Sequence, residues 1–217
     1  MTLSHIFNAL YWLWAASEVI TLILTRTRRS SGETHDRGSL LILWPVIFFS
    51  IWGSMVYGAT HPHTIAGGAP WVFELAFALF VLGVILRWTA ILTLGKSFSV
   101  NVAIHATQTV KKDGLYRFVR HPSYTAMLII FCAIGLATRN WIALAIITIP
   151  PALALLYRIH VEEQALLTAF GDDYATYSHH TKRLSPPSTS RPSLVKPKGI
   201  SDTLHQTPSP PCSSPHR

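Results

Sequence analysis

Apolar residues fill five stretches of this chain almost without interruption, and polar residues collect between them. The stretches run Leu3–Leu24, Leu40–Tyr57, Trp71–Leu94, Ser123–Ala137 and Trp141–Tyr157. Crossing the hydrocarbon of a bilayer takes about 20 residues of helix, with a range of roughly 17 to 25. The first three stretches meet that length. The last two are shorter and are separated only by Thr138, Arg139 and Asn140, which predicts a tight helical hairpin. The expected fold class is an all-α integral membrane protein of about five transmembrane helices, the last two paired. The opening stretch has no basic leader and no small-residue cleavage site, so it reads as a span rather than a signal peptide.

Composition agrees. The 217 residues are 49% hydrophobic and only 13% Asp, Glu, Lys or Arg, against about 25% charged in soluble domains. An ordinary soluble domain and a disulfide scaffold are poor fits, since Cys132 and Cys212 form neither a disulfide framework nor a metal pattern. The net charge of +8 is a membrane charge rather than a nucleic-acid one. Sixteen of the eighteen Lys and Arg follow the first, third and fifth stretches, whereas the His61–Pro70 loop has none. The positive-inside rule then places the N-terminus in the lumen and the C-terminal segment in the cytosol. From Ser185 onward, eight prolines and eight serines in 33 residues predict a disordered tail that buries too little to fold. Three regions follow: spans 1–3 over 1–94, a core with the hairpin and a cytosolic helix over 95–184, and the tail over 185–217.

Ionisable residues inside the spans need a partner or an escape to the interface. Glu18 and Arg87 sit toward the cytosolic ends of their helices and are expected to snorkel, with a mutual contact as the less favoured arrangement. His61, His63, His179 and His180 lack a third ligand at suitable spacing, so no metal is expected.

Two cytosolic stretches carry the candidate chemistry. One is Asp113–Tyr124, which enters the fourth span, and the other is Arg158–Leu166, which leaves the fifth. A hairpin brings both to one membrane face. Gly114 permits a turn, and Pro122 suits the first turn of a helix, where a missing N–H costs nothing. Free backbone N–H groups there could receive an anionic group, although a plain interfacial anchor of Tyr, Arg and His has the same composition. Arg158 and Glu162, four apart, share a helix face, and Glu163 lies about 100° around. By spacing alone, the pair is either a surface ion pair or a site combining a cation for an anionic substrate with a carboxylate for a cofactor.

The order of these residues narrows the choice. Gly114, Tyr116, Arg117, Arg120-His-Pro-Ser-Tyr124, the hairpin, Arg158 with Glu162-Glu163, Phe170-Gly171, Tyr174, Tyr177 and Arg183-Leu184 with Pro186 together resemble the isoprenylcysteine carboxyl methyltransferase family. The resemblance covers about Phe98 to Pro186. It implies an S-adenosylmethionine-dependent enzyme of the endoplasmic reticulum membrane that methylates the C-terminal carboxylate of a prenylated cysteine from a cytosolic cofactor pocket. Carried over, it assigns cofactor contacts to His105, Gln108, Thr109, Val110, Lys111, Tyr116, His121, Pro122, Ser123, Tyr124 and Glu162. Arg158 takes the catalytic, substrate-binding role, and neither metal nor nucleic acid is involved. The sequence departs from the family pattern at Gln108, Lys111 and Ala126. Alternatives left open are a phospholipid or small-molecule membrane methyltransferase, a sterol reductase-like protein using NADPH, and a non-catalytic membrane adaptor.

Overall fold

The computed structural model describes residues 2–27, 33–34, 38–95, 103–104 and 110–184. It comprises α1 (Leu3–Thr27), α2 (Ser39–Thr60), α3 (Pro70–Leu94), α4 (Pro122–Ala137), α5 (Trp141–Phe170) and α6 (Asp172–His180). A two-residue antiparallel pair sets Glu33 opposite Ile104 and Thr34 opposite Ala103. The all-α membrane class is borne out. Four helices, α1, α2, α3 and α5, are long and apolar enough to cross a bilayer, and α4 is a shorter apolar helix. At 16 residues, α4 is about 24 Å long, less than the roughly 30 Å of a hydrocarbon core. The predicted tail, residues 185–217, lies outside the described residues.

The helix ends follow from local chemistry. Pro70 and Pro122 occupy the first turns of α3 and α4, where the proline ring presets φ and no hydrogen bond is lost. Asn140 caps α5, its Oδ1 accepting from the backbone N–H of Ile142 at 2.9 Å and of Ala143 at 3.2 Å. Its Nδ2 donates to the Pro62 carbonyl at 2.9 Å, so one buried side chain ties the hairpin tip to the loop before α3. The helix α5 runs unbroken through Pro150 and Pro151 and carries its last turns well past Tyr157.

α3 packs on α4, α2 on α5, and α4 on α5. The α4–α5 approach is close enough to require glycine: a Cβ on Gly135 would lie 2.7 Å from Leu144 Cδ1 and 2.8 Å from Ile147 Cγ2. Phe7, Tyr11 and Trp14 of α1 meet Phe80 of α3 and Phe131 of α4 in the core. Outward faces carry Trp12, Leu41, Phe48, Phe49, Trp52, Leu92 and Leu153, all exposed, as a lipid-facing surface should.

The expected snorkelling of Glu18 and Arg87 is overturned. The two side chains are buried and form a two-point ion pair, Nε to Oε1 at 3.0 Å and Nη2 to Oε2 at 2.8 Å, and Arg87 Nη1 also donates to Ser123 Oγ. Both side chains are about nine-tenths buried on facing helices, so pairing is the cheaper arrangement. The network locks α1 to α3 and to the start of α4. Glu18→Ala is expected to cost about 3–5 kcal/mol, because it strands a buried guanidinium. Glu18→Met combined with Arg87→Met should recover most of that loss. Thermal unfolding in detergent checks both; equal melting temperatures for wild type and Glu18→Ala would refute the assignment.

Candidate functional site

The site starts at a sharp turn. Gly114 has φ +58°, the left-handed region that favours glycine, and a Cβ there would meet Thr93 Cγ2 at 2.9 Å. The turn Gly114–Arg117 follows. It is pinned from α6, where the Tyr177 hydroxyl donates to the Tyr116 carbonyl at 2.6 Å. The chain then runs beside the segment after α6: the N–H of Arg120 donates to Lys182 O at 2.9 Å and that of His121 to Arg183 O at 3.0 Å. Thr125 Oγ1 closes the contact on Leu184 O at 2.8 Å. The Tyr177 and Arg183-Leu184 part of the sequence motif is thus a frame around the start of α4.

Glu163 is the ionic centre of that frame. Its Oε1 lies 3.0 Å from Arg120 Nε and 3.4 Å from His121 Nε2, and its Oε2 accepts from Arg183 Nε at 2.8 Å. The Arg120 contact is electrostatic rather than a directed hydrogen bond, since that Nε–H has no aligned acceptor among the described residues. Arg120 spends its Nη1 on the carbonyls of Thr181 and Ser178.

Glu162, one residue earlier, turns into a cavity. Its Oε2 accepts from the Tyr124 hydroxyl at 2.8 Å, and the same hydroxyl accepts from Arg158 Nε at 3.2 Å. Arg158 Nη1 donates to Ser39 Oγ on α2. Arg158 is 2% exposed, which removes the surface ion-pair reading of Arg158 and Glu162. One phenol joins the cation and the carboxylate that sequence spacing could only place on one face. His121 stacks on Tyr124, with ring centroids 5.6 Å apart.

The cavity holds about 810 Å³ of empty space, open mouth included. Its lining combines polar residues, Tyr116, Arg120, His121, Ser123, Tyr124, Arg158 and Glu162 with Glu18 and Arg87, and apolar ones, Leu40, Leu43, Trp44 and Ile47 of α2 with Leu94, Met127 and Leu155. Burial, then the nearby Glu162 charge, pushes the Tyr116 phenol above its ordinary range, so at neutral pH it is a donor and not a base.

The structure therefore gathers six of the expected residues, Tyr116, His121, Ser123, Tyr124, Arg158 and Glu162, around one cavity. Pro122 starts α4 beneath them. Val110 and Lys111 are not in its lining, and Lys111 pairs with Asp113 Oδ2 at 3.0 Å on the exposed side of the turn. His105, Gln108 and Thr109 lie outside the described residues. Sequence reasoning missed the α2 wall, Arg120 and the Glu18–Arg87 pair as parts of the lining. The α2 residues do recur at helical spacing, but inside a helix apolar all round, where every face looks alike.

Residues 75–168 match the isoprenylcysteine carboxyl methyltransferase (ICMT) family. The matched segment is less than half of the chain. It runs from α3 past every polar lining residue from Arg87 to Glu162 and ends beyond Glu162-Glu163, in agreement with the resemblance read from the motif. Protein-S-isoprenylcysteine O-methyltransferase B of Arabidopsis thaliana is 32% identical over 110 residues, 50% of this chain and 56% of the relative. A methanethiol S-methyltransferase of a Pseudomonas species is 28% identical over 156 residues, 68% of this chain and 54% of the relative. Among solved structures, a eukaryotic intramembrane Ras methyltransferase of the ICMT type matches with a TM-score of 0.51 and 25% identity, over 68% of this chain and 50% of that one. The chain thus spans about half the length of these relatives.

Proposed function

We propose that the protein transfers a methyl group from S-adenosylmethionine to the C-terminal carboxylate of a prenylated cysteine, at the cytosolic face of the endoplasmic reticulum membrane. The observation that carries this reading is the Tyr124 hydroxyl bridging Arg158 and Glu162 in a cavity that α2 lines with apolar side chains. The donor set suits S-adenosylmethionine. Glu162 offers a carboxylate for its hydroxyl or cationic groups. Tyr116, His121 and Ser123 offer further polar contacts, and the start of α4 has no side-chain cap. When bound, that cofactor supplies an electrophilic methyl on a sulfonium.

The protein's own part is alignment. A carboxylate acceptor is ionised at neutral pH, with a reference pKa near 3.5, so no side chain has to remove a proton. Arg158 holds and orients the carboxylate, best by a fork-to-fork contact. Tyr124 keeps the guanidinium in place, and the apolar α2 wall lies along the acceptor's hydrocarbon chain and excludes water. Bringing two bound reactants into line can contribute about 7–11 kcal/mol, enough to make positioning the main catalytic device. Sixteen of the eighteen basic residues on one side support a cytosolic site under the positive-inside rule.

A second reading keeps the cofactor and changes the acceptor. The S-methyltransferase relative aligns with 68% of this chain, more than the 50% of the plant carboxyl methyltransferase, which favours a small thiol. Membranes bearing the protein, labelled S-adenosylmethionine, and either N-acetyl-S-farnesylcysteine or methanethiol separate the two. Base-labile label on the farnesylcysteine is expected. Transfer to methanethiol alone would establish the second reading, and transfer to neither would refute both.

A further inference from the structure

The Glu18–Arg87 pair does more than join two helices. Arg87 Nη1 also donates to Ser123 Oγ, and all three residues line the cavity. Ionisable groups within membrane spans mark functional positions, and a well-packed apolar pair often serves stability as well as a buried ion pair does. Both Glu18 oxygens hold the guanidinium, at 3.0 and 2.8 Å, which fixes where Nη1 points. Arginine has no acceptor, so Ser123 Oγ accepts from it and the one hydroxyl proton turns away from Arg87. Ser123 is the second residue of α4, too early for the usual serine bond to a helical carbonyl four residues back. The guanidinium behind the hydroxyl polarises it and makes it a stronger donor. Arg87 also reaches the neighbouring polar lining: burial and the Glu162 charge raise the Tyr116 phenol, and the Arg87 charge opposes them. Tyr116, Ser123 and Glu162 are all expected contacts of S-adenosylmethionine, so the network ends among them.

We propose that Glu18 and Arg87 are positioning residues for the methyl donor: together they hold the Ser123 hydroxyl so that it donates to an acceptor atom of S-adenosylmethionine. Glu162 offers that cofactor an acceptor, and Ser123 offers it a donor. This rests on the S-adenosylmethionine reading and extends it to Glu18, which lies on α1 before the family-matched residues 75–168. The two roles of the pair are separable. Locking α1 to α3 needs only a well-packed contact, whereas orienting Ser123 needs the N–H of Arg87.

Three variants of the full chain test it: Ser123→Ala, the apolar pair Glu18→Met with Arg87→Met, and all three substitutions together. For each, the melting temperature and the S-adenosylmethionine dissociation constant are measured in detergent, and KM for N-acetyl-S-farnesylcysteine in membranes. Ser123→Ala is expected to weaken S-adenosylmethionine binding about fivefold, the size of one hydrogen bond. The Met pair, melting near wild type, should lose about the same. The combined variant should bind within about twofold of Ser123→Ala, because effects that pass through one group do not add. KM for the acceptor should stay within about twofold of wild type in all three, since uniform binding of that substrate is untouched. Arg87→Lys keeps the charge opposite Glu18 but not the planar fork that spans Glu18 and Ser123; it should lose about as much cofactor affinity even if the Met pair fails to fold. Wild-type affinity in Ser123→Ala, in a folded Met pair or in Arg87→Lys, or losses that multiply in the combined variant, would each overturn the proposal. A wild type that binds no S-adenosylmethionine would instead overturn the cofactor reading, and the proposal with it.

Discussion

Arg158→Ala is expected to lower kcat/KM for a prenylcysteine acceptor by about 30- to 1000-fold while leaving S-adenosylmethionine affinity within about threefold of wild type. The magnitude corresponds to about 2–4 kcal/mol, the range for truncating one partner of a buried, hydrogen-bonded charge pair. The direction follows from placement. Arg158 is 2% exposed and its guanidinium is held by Tyr124 and Ser39, so it needs no reorganisation to meet an incoming carboxylate. Arg158→Lys retains the charge but replaces a planar fork with a point charge on a flexible stem. It should restore only a small part of the loss. Steady-state kinetics with a parallel binding measurement checks the pair of variants, and equal losses of cofactor affinity and turnover would assign Arg158 to the framework instead.

The complementary result is expected at Glu162. Glu162→Ala should weaken S-adenosylmethionine binding by about 10- to 150-fold, equivalent to about 1.5–3 kcal/mol for hydrogen bonds to a charged group. The carboxylate already accepts a hydrogen bond from the Tyr124 hydroxyl at Oε2, 2.8 Å away, while its side chain remains 28% exposed and so open to a ligand. Glu162→Gln keeps an oxygen for Tyr124 and removes the charge, so it should fall between alanine and wild type. Equilibrium binding to purified protein in detergent decides this. An unchanged dissociation constant in both variants would end the role. Glu163 should behave differently, since its bonds go to Arg120, His121 and Arg183 and its loss should lower stability first.

Some of this was open to reading from the residues and some was not. Pro122 and the Asn140 cap mark helix starts through chemistry that acts within a few residues, and both starts fall where local rules place them. The fifth stretch, Trp141–Tyr157, already runs across Pro150 and Pro151, whose freed backbone groups neighbouring helices in a bilayer can re-satisfy; that the same helix continues to Phe170 is a tertiary fact. Glu18 and Arg87 are 69 positions apart, so only the packing of α1 on α3 and α4 could decide between pairing and snorkelling. Glu163 was legible as pointing away from Glu162, but its three basic partners come from two other segments of chain. Arg158, Glu162 and Tyr124 were legible as a group through the order of the motif. The shared phenol that connects them required coordinates.

That phenol has a thermodynamic consequence. A single hydroxyl donates a hydrogen bond to the group expected to hold the methyl donor and accepts one from the group expected to hold the acceptor. Whatever ligand polarises or displaces one of these bonds alters the other, and linkage requires the effect to be mutual: the factor by which donor changes acceptor affinity equals the factor by which acceptor changes donor affinity. The two substrates would then not fill the cavity as independent guests. Whether they arrive in a preferred order becomes a property of one tyrosine, and Tyr124→Phe is the variant in which that mutual influence should vanish.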